Sequence, residues 1–115
     1  MSLDVSLYVY VDTGGEKPER VELFDSNITH NLGNMAAKGG FYYHVWQPEE
    51  LGIKFAGEIV ETLRSGIARL RKYPEYFKQF SAVNGWGTYE QFLPWLDEYL
   101  KICIKHPKSQ IDVSR

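Results

Sequence analysis

Leu3, Val5, Leu7, Val9 and Val11 alternate with Asp4, Ser6, Tyr8, Tyr10 and Asp12, the period of a strand with one dry face and one wet face. Such a strand cannot stand alone. Its backbone N–H and C=O groups need partners and its apolar face needs a cover, so the rest of the chain must supply neighbouring strands and a helical layer. Thr13-Gly14-Gly15-Glu16-Lys17-Pro18 reads as a turn, because its glycines permit positive φ and Pro18 cannot donate to a ladder. The return strand is expected over Arg20 to Phe24, with Val21 and Leu23 facing inward. Ile111-Asp112-Val113 alternates again and finds its hydrogen bonds most readily on an edge of the same sheet. The pattern predicts an α+β fold, a small three-stranded antiparallel sheet packed against three to four helices.

The helical layer shows in a change of period. Ala56, Ile59, Val60, Leu63, Ile67 and Leu70 share one face of a helix expected from about Ile53 to Arg71, with Lys54, Glu58, Glu61, Arg64, Ser65 and Arg69 opposite. Pro48-Glu49-Glu50 suits a short helical start before it. Gly57 and Gly66 each cost about 1 kcal/mol against alanine in an exposed helix, which points to close approach of a neighbour. Pro74 to Phe80 reads as a short helix. The last helix opens at Thr88, which forms a capping box with Gln91, and buries Phe92, Trp95, Leu96, Tyr99, Leu100 and Cys103. Pro94 should kink it, and His106-Pro107 should end it.

Composition bounds the function. The chain of 115 residues is 43% hydrophobic and 24% charged, within the range of an ordinary globular chain and long enough to bury roughly two-thirds of its unfolded surface as a single domain, residues 1–115. Thirteen basic against fifteen acidic residues leave a net charge of −2, which argues against general nucleic-acid binding, where phosphate neutralisation supplies most of the affinity. The cluster Arg64, Arg69, Arg71 and Lys72 reads as the solvated side and end of a helix. A lone cysteine, Cys103, excludes an internal disulfide and fits a reducing, cytoplasmic compartment. Met1 leads into a strand pattern rather than a leader, and no apolar run approaches the ~18 residues of a membrane span.

Two polar islands stand out. Asp25-Ser26-Asn27-Ile28-Thr29-His30-Asn31-Leu32-Gly33-Asn34-Met35 reads as a helix capped by Asp25, Ser26 or Asn27 and stopped by Gly39-Gly40, with Ile28, Leu32, Met35 and Ala36 inward. Thr29, His30, Asn31 and Asn34 then lie off the buried stripe, although none is a strong helix former. Either they cap and bond to a neighbouring loop, or they address a polar ligand. Asn-Ile-Thr also matches a glycosylation sequon, which a cytoplasmic chain would not use. In Asn84-Gly85-Trp86-Gly87-Thr88 the glycines imply unusual backbone angles. Trp86 either folds onto the core or stands as an aromatic platform beside Asn84, the usual pairing for a base, a ring or a sugar, with Trp46 as a second wall.

Other chemistries fare less well. Cys103 lies on the apolar stripe of its helix, where a thiol is inert. His30, His44, His106 and Cys103 lack close ligand spacing, so neither a metal nor another cofactor is expected. His30, oriented by Asp25 or Glu22, could act as a general base. No phosphate loop, dinucleotide fingerprint or nucleic-acid module occurs.

The motifs NITHNLGNMA (Asn27 to Ala36), WQPEELGI (Trp46 to Ile53) and NGWGTYEQF (Asn84 to Phe92), with Val113-Ser114-Arg115, resemble a group of small bacterial and phage-encoded proteins without an established activity. The resemblance spans nearly the whole chain. In that group the position of Gln47 more often holds arginine, and no catalytic residue carries over. The resemblance implies a phage or prophage setting, where small acidic proteins bind a host protein or sequester a signal molecule.

Three functions follow in order of expectation. The first is a non-enzymatic module binding a small polar ligand, nucleotide-like in kind, through Asn27, Thr29, His30, Asn31, Asn84, Trp86 and Thr88. The second is a protein-binding or self-associating module, the latter a homo-oligomer, with an aromatic surface of Tyr8, Tyr10, Tyr42, Tyr43 and Trp46. The third is a small hydrolase or transferase using His30 as base. The first requires the two islands to meet in space.

Overall fold

The computed structural model describes residues 2–115. Strands β1 (Ser2–Val11), β2 (Glu19–Thr29) and β3 (Gln110–Ser114) form one antiparallel sheet in the order β2-β1-β3, so the strand with the clearest alternation takes the centre. Leu3, Val5 and Leu7 are fully buried, each contributing about 1.5–3 kcal/mol by leaving water. Helices α1 (Gly33–Gly39), α2 (Tyr42–Trp46), α3 (Val60–Lys72), α4 (Pro74–Lys78) and α5 (Tyr89–Lys105) complete the α+β fold. The long helices α3 and α5 pack on each other, and Leu63, Ile67, Leu70, Phe92, Leu96 and Tyr99 join the sheet residues in one core. No helix among the described residues is long and apolar enough to cross a membrane.

Several expectations change. The return strand does not stop at Phe24: β2 continues through Asp25-Ser26-Asn27-Ile28-Thr29, which pairs residue for residue with Ser6 back to Ser2. Asp25, Ser26 and Asn27 therefore cap nothing. Their capping preference is worth about 1 kcal/mol, whereas β1 would lose a whole run of ladder hydrogen bonds without this segment. Ile28 lies opposite Leu3 and Phe24 opposite Leu7, both packed on the core. Leu23 is the extra residue of a bulge, since Leu7 pairs with Phe24 and Tyr8 with Glu22. It is only half-buried, and Val21 is exposed, because β3 ends opposite Tyr8 and the outer hairpin runs on without it.

The helix expected from Ile53 begins later. Lys54 spends its carbonyl on Ile111 N–H (2.9 Å) and Phe55 bridges to Gln110, so this segment serves the sheet edge before a short 3-10 turn at Ala56–Ile59 leads into α3. Glu58 Oε2 accepts from the N–H groups of Phe55 (2.9 Å) and Lys54 (2.8 Å), which lowers its carboxyl pKa. Helix α2 was not legible as a helix. Its single turn of large aromatic residues is held by the burial of Val45 and Trp46 rather than by local propensity. Helix α5 starts at the expected capping box and is not broken at Pro94; the carbonyl that the missing N–H would have met belongs to exposed Glu90.

Both helix glycines mark close approaches. A Cβ on Gly66 would overlap the Phe41 ring, and one on Gly57 would stand 3.0 Å from the Pro107 carbonyl oxygen. Three members of the cationic cluster have partners within the fold, Arg64 on Glu61, Arg71 on Asp97 and Arg69 donating to the Gly39 carbonyl. Deep in the core, the Tyr99 hydroxyl has no hydrogen-bond partner among the described residues. Cys103, also fully buried, has its thiol pKa pushed up by burial to about 12.

Candidate functional site

The first island is the corner where β2 becomes α1. Thr29, still extended at φ −67° and ψ 141°, takes the Asn31 N–H on its hydroxyl oxygen (3.3 Å) and turns the chain into a 3-10 turn at His30–Leu32. Leu32 enters the core and fixes the corner, which turns Asn31 outward. The His30 ring is held from beneath, because Trp46 Nε1–H donates to its Nδ1 at 3.1 Å.

The second island is tied to itself. Gly85 N–H donates to the Ala82 carbonyl and Ala82 N–H to the Gly87 carbonyl, while Asn84 Oδ1 accepts from Trp86 N–H at 3.0 Å. Gly85 and Gly87 adopt φ of +79° and +108°, which side chains rarely tolerate. Gln91 Oε1 accepts from the N–H groups of both Gly87 (3.1 Å) and Thr88 (3.0 Å), and Thr88 Oγ1 accepts from Gln91 N–H.

The islands meet. Asn31 Nδ2–H donates to the Trp86 carbonyl at 2.7 Å. Gly87 allows this approach: a Cβ there would lie 3.0 Å from both Asn31 Cβ and Thr29 Cγ2. Between them opens a cleft of about 1040 Å³, whose walls include Asn27, Thr29, His30, Asn31, Asn84 and Trp86. Its scale is that of a small-molecule site. Among the described residues none that lines it is Asp, Glu, Lys or Arg, although a quarter of the chain is charged. Trp86, with its backbone pinned, leaves 72% of itself exposed.

Thr88 is not on the wall; its hydroxyl belongs to the cap of α5. Nor is Trp46 a second wall, since it is buried beneath His30 and stacks on Tyr42. Asn27 reaches the cleft from a strand rather than a helix start. Sequence reading missed Ser2, Ile28, Leu32, Gly85, Gly87 and Gln91 as lining residues. Ser2 is brought in only by its register opposite Thr29, and the capping role of Gln91 hid the amide nitrogen that the cap leaves over.

The fold also places the residues named for the other two functional expectations. With Trp46 buried, the aromatic surface is reduced to two edge-to-face pairs, Tyr8 with Tyr10 and Tyr42 with Tyr43. As a base, His30 meets a donor at Nδ1 where an orienting carboxylate from Asp25 or Glu22 would have been needed. An indole N–H can only donate, so Nδ1 is the acceptor and the proton sits on Nε2. Among the described residues no group of three or more His, Cys, Asp or Glu side chains could hold a metal ion. Neither protein-family models, curated proteins nor solved structures match the chain.

Proposed function

We propose that the chain is a small-molecule-binding module whose cleft takes an uncharged polar ring, such as the base portion of a nucleotide-like molecule, against the face of Trp86. The observation that carries this reading is the meeting of Asn31 with the Trp86 carbonyl, which puts two polar segments far apart in sequence on one uncharged cleft. Trp86 offers the flat apolar surface, and Asn27, His30, Asn31 and Asn84 the hydrogen bonds at its rim. This is the division of labour of ring-binding sites. The module acts by holding its ligand rather than transforming it, because His30 is tied to Trp46 and Cys103 is buried. In the phage or prophage setting implied by the sequence resemblance, it would sequester a small signal molecule of the host.

A thermal-shift screen against nucleosides, nucleotides and simple glycosides tests this. Saturation at 100 times Kd stabilises the native state by about 2.7 kcal/mol. At least one ring compound should raise the melting temperature, and Trp86→Ala and Asn27→Ala should each abolish the shift. A shift that survives both substitutions, or no shift with any ring compound, would contradict the reading.

A further inference from the structure

We infer that the cleft selects rings whose hydrogen-bonding edge is rich in carbonyl oxygens, the imide edge of uracil being the type, over rings whose edge carries amino groups. This rests on the reading of the cleft as a ligand site, and it comes from how the fold spends its own hydrogen bonds there. His30 gives its only acceptor, Nδ1, to Trp46 Nε1–H, which leaves Nε2–H as a donor. Gln91 commits its carbonyl oxygen to two backbone N–H groups, and that oxygen has two lone pairs. Only its Nε2 amide is left to offer. Asn84 gives its oxygen to Trp86 N–H and retains its amide donors.

His30 and Gln91 thus keep only donors, Asn84 keeps both amide protons with one lone pair, and Asn31, which gives one Nδ2 proton to the Trp86 carbonyl, keeps the other together with Oδ1. An imide edge presents two carbonyl acceptors around one N–H donor. That composition fits a wall whose free donors outnumber the amide lone pairs left on Asn27, Asn31 and Asn84. An amino group facing the same donors would leave both sides unsatisfied, at a cost of about 1–3 kcal/mol. Phosphate adds nothing specific, since among the described residues no Lys or Arg lines the cleft.

The test uses the intact chain and calorimetric titration with uridine, cytidine, adenosine, uridine monophosphate and methyl glucoside, repeated on Trp86→Ala and Asn84→Asp. Aspartate keeps the oxygen that accepts from Trp86 N–H, so the turn survives, but it replaces the free amide donor with an acceptor. The expected result is uridine binding at least about tenfold tighter than cytidine or adenosine. The monophosphate should lie within about threefold of uridine, and Asn84→Asp should lose most of the preference while melting at an unchanged temperature. Cytidine, adenosine or the glucoside binding as tightly as uridine, with binding lost in Trp86→Ala, would overturn the selectivity and leave the site standing. No binding by any of them, or binding that persists in Trp86→Ala, would overturn both.

Discussion

Gly87 decides whether the two polar segments can touch. Its φ of +108° and the 3.0 Å separations that a Cβ would have from Asn31 and Thr29 make Gly87→Ala costly twice, by about 1–2 kcal/mol for the backbone and more for the clash. The variant should be destabilised by about 2 kcal/mol in urea titration and should lose ligand binding; wild-type stability would show that the contact is dispensable. Tyr99 is the opposite case. Its hydroxyl is buried without a partner, and such a group carries a desolvation penalty of about 1–3 kcal/mol. Tyr99→Phe should therefore raise stability, by about 1 kcal/mol, and a fall would reveal a partner for the hydroxyl. Next to it on α5, Cys103 keeps its proton up to about pH 12 in the fold, against an ordinary value of 9.0. Between those values the unfolded chain binds fewer protons than the native one, so stability falls as pH rises through the window. Urea midpoints measured from pH 8 to 11 should decline, and less steeply in Cys103→Ala. Parallel slopes would assign the decline to other groups.

Elements were legible where the signal is local. The alternation from Leu3 to Val11 gave β1, and the 3.6-residue spacing of Leu63, Ile67 and Leu70 gave the body of α3. The Thr88–Gln91 box placed the start of α5. What failed was decided by distant partners. Ile28 suits the helical set of Leu32, Met35 and Ala36 as well as it suits a strand, and only the length of β1 on the far side of the hairpin settles the choice. The same holds for Lys54 and Phe55, which the edge strand β3 draws away from α3. Thr88 shows how a cap can resemble a binding residue. Thr88→Ala should cost about 1 kcal/mol of stability, read from the urea midpoint, while leaving ligand affinity unchanged. A loss of affinity much larger than the loss of stability would return Thr88 to the cleft wall.

For the whole molecule, the chemistry of the site was written in two short segments but its geometry was not. Asparagine, threonine and histidine beside a glycine-flanked tryptophan are the residue types of a polar site; that they share one cleft depends on Asn31 reaching Trp86 across the tertiary structure. The displacement of Trp46 from wall to foundation has the same origin, because its indole N–H finds its acceptor on His30. The three tryptophans now stand in three different environments. Trp86 is exposed on the cleft, Trp46 supports His30 from the core, and Trp95 donates to Ser26 away from the cleft wall. Their indole N–H resonances in a nitrogen–proton correlation spectrum test the central claim in one titration with uridine. The Trp86 signal should move most, the Trp46 signal should follow to a lesser degree through His30, and Trp95 should stay fixed. A spectrum in which Trp86 does not move at saturating ligand would contradict the account.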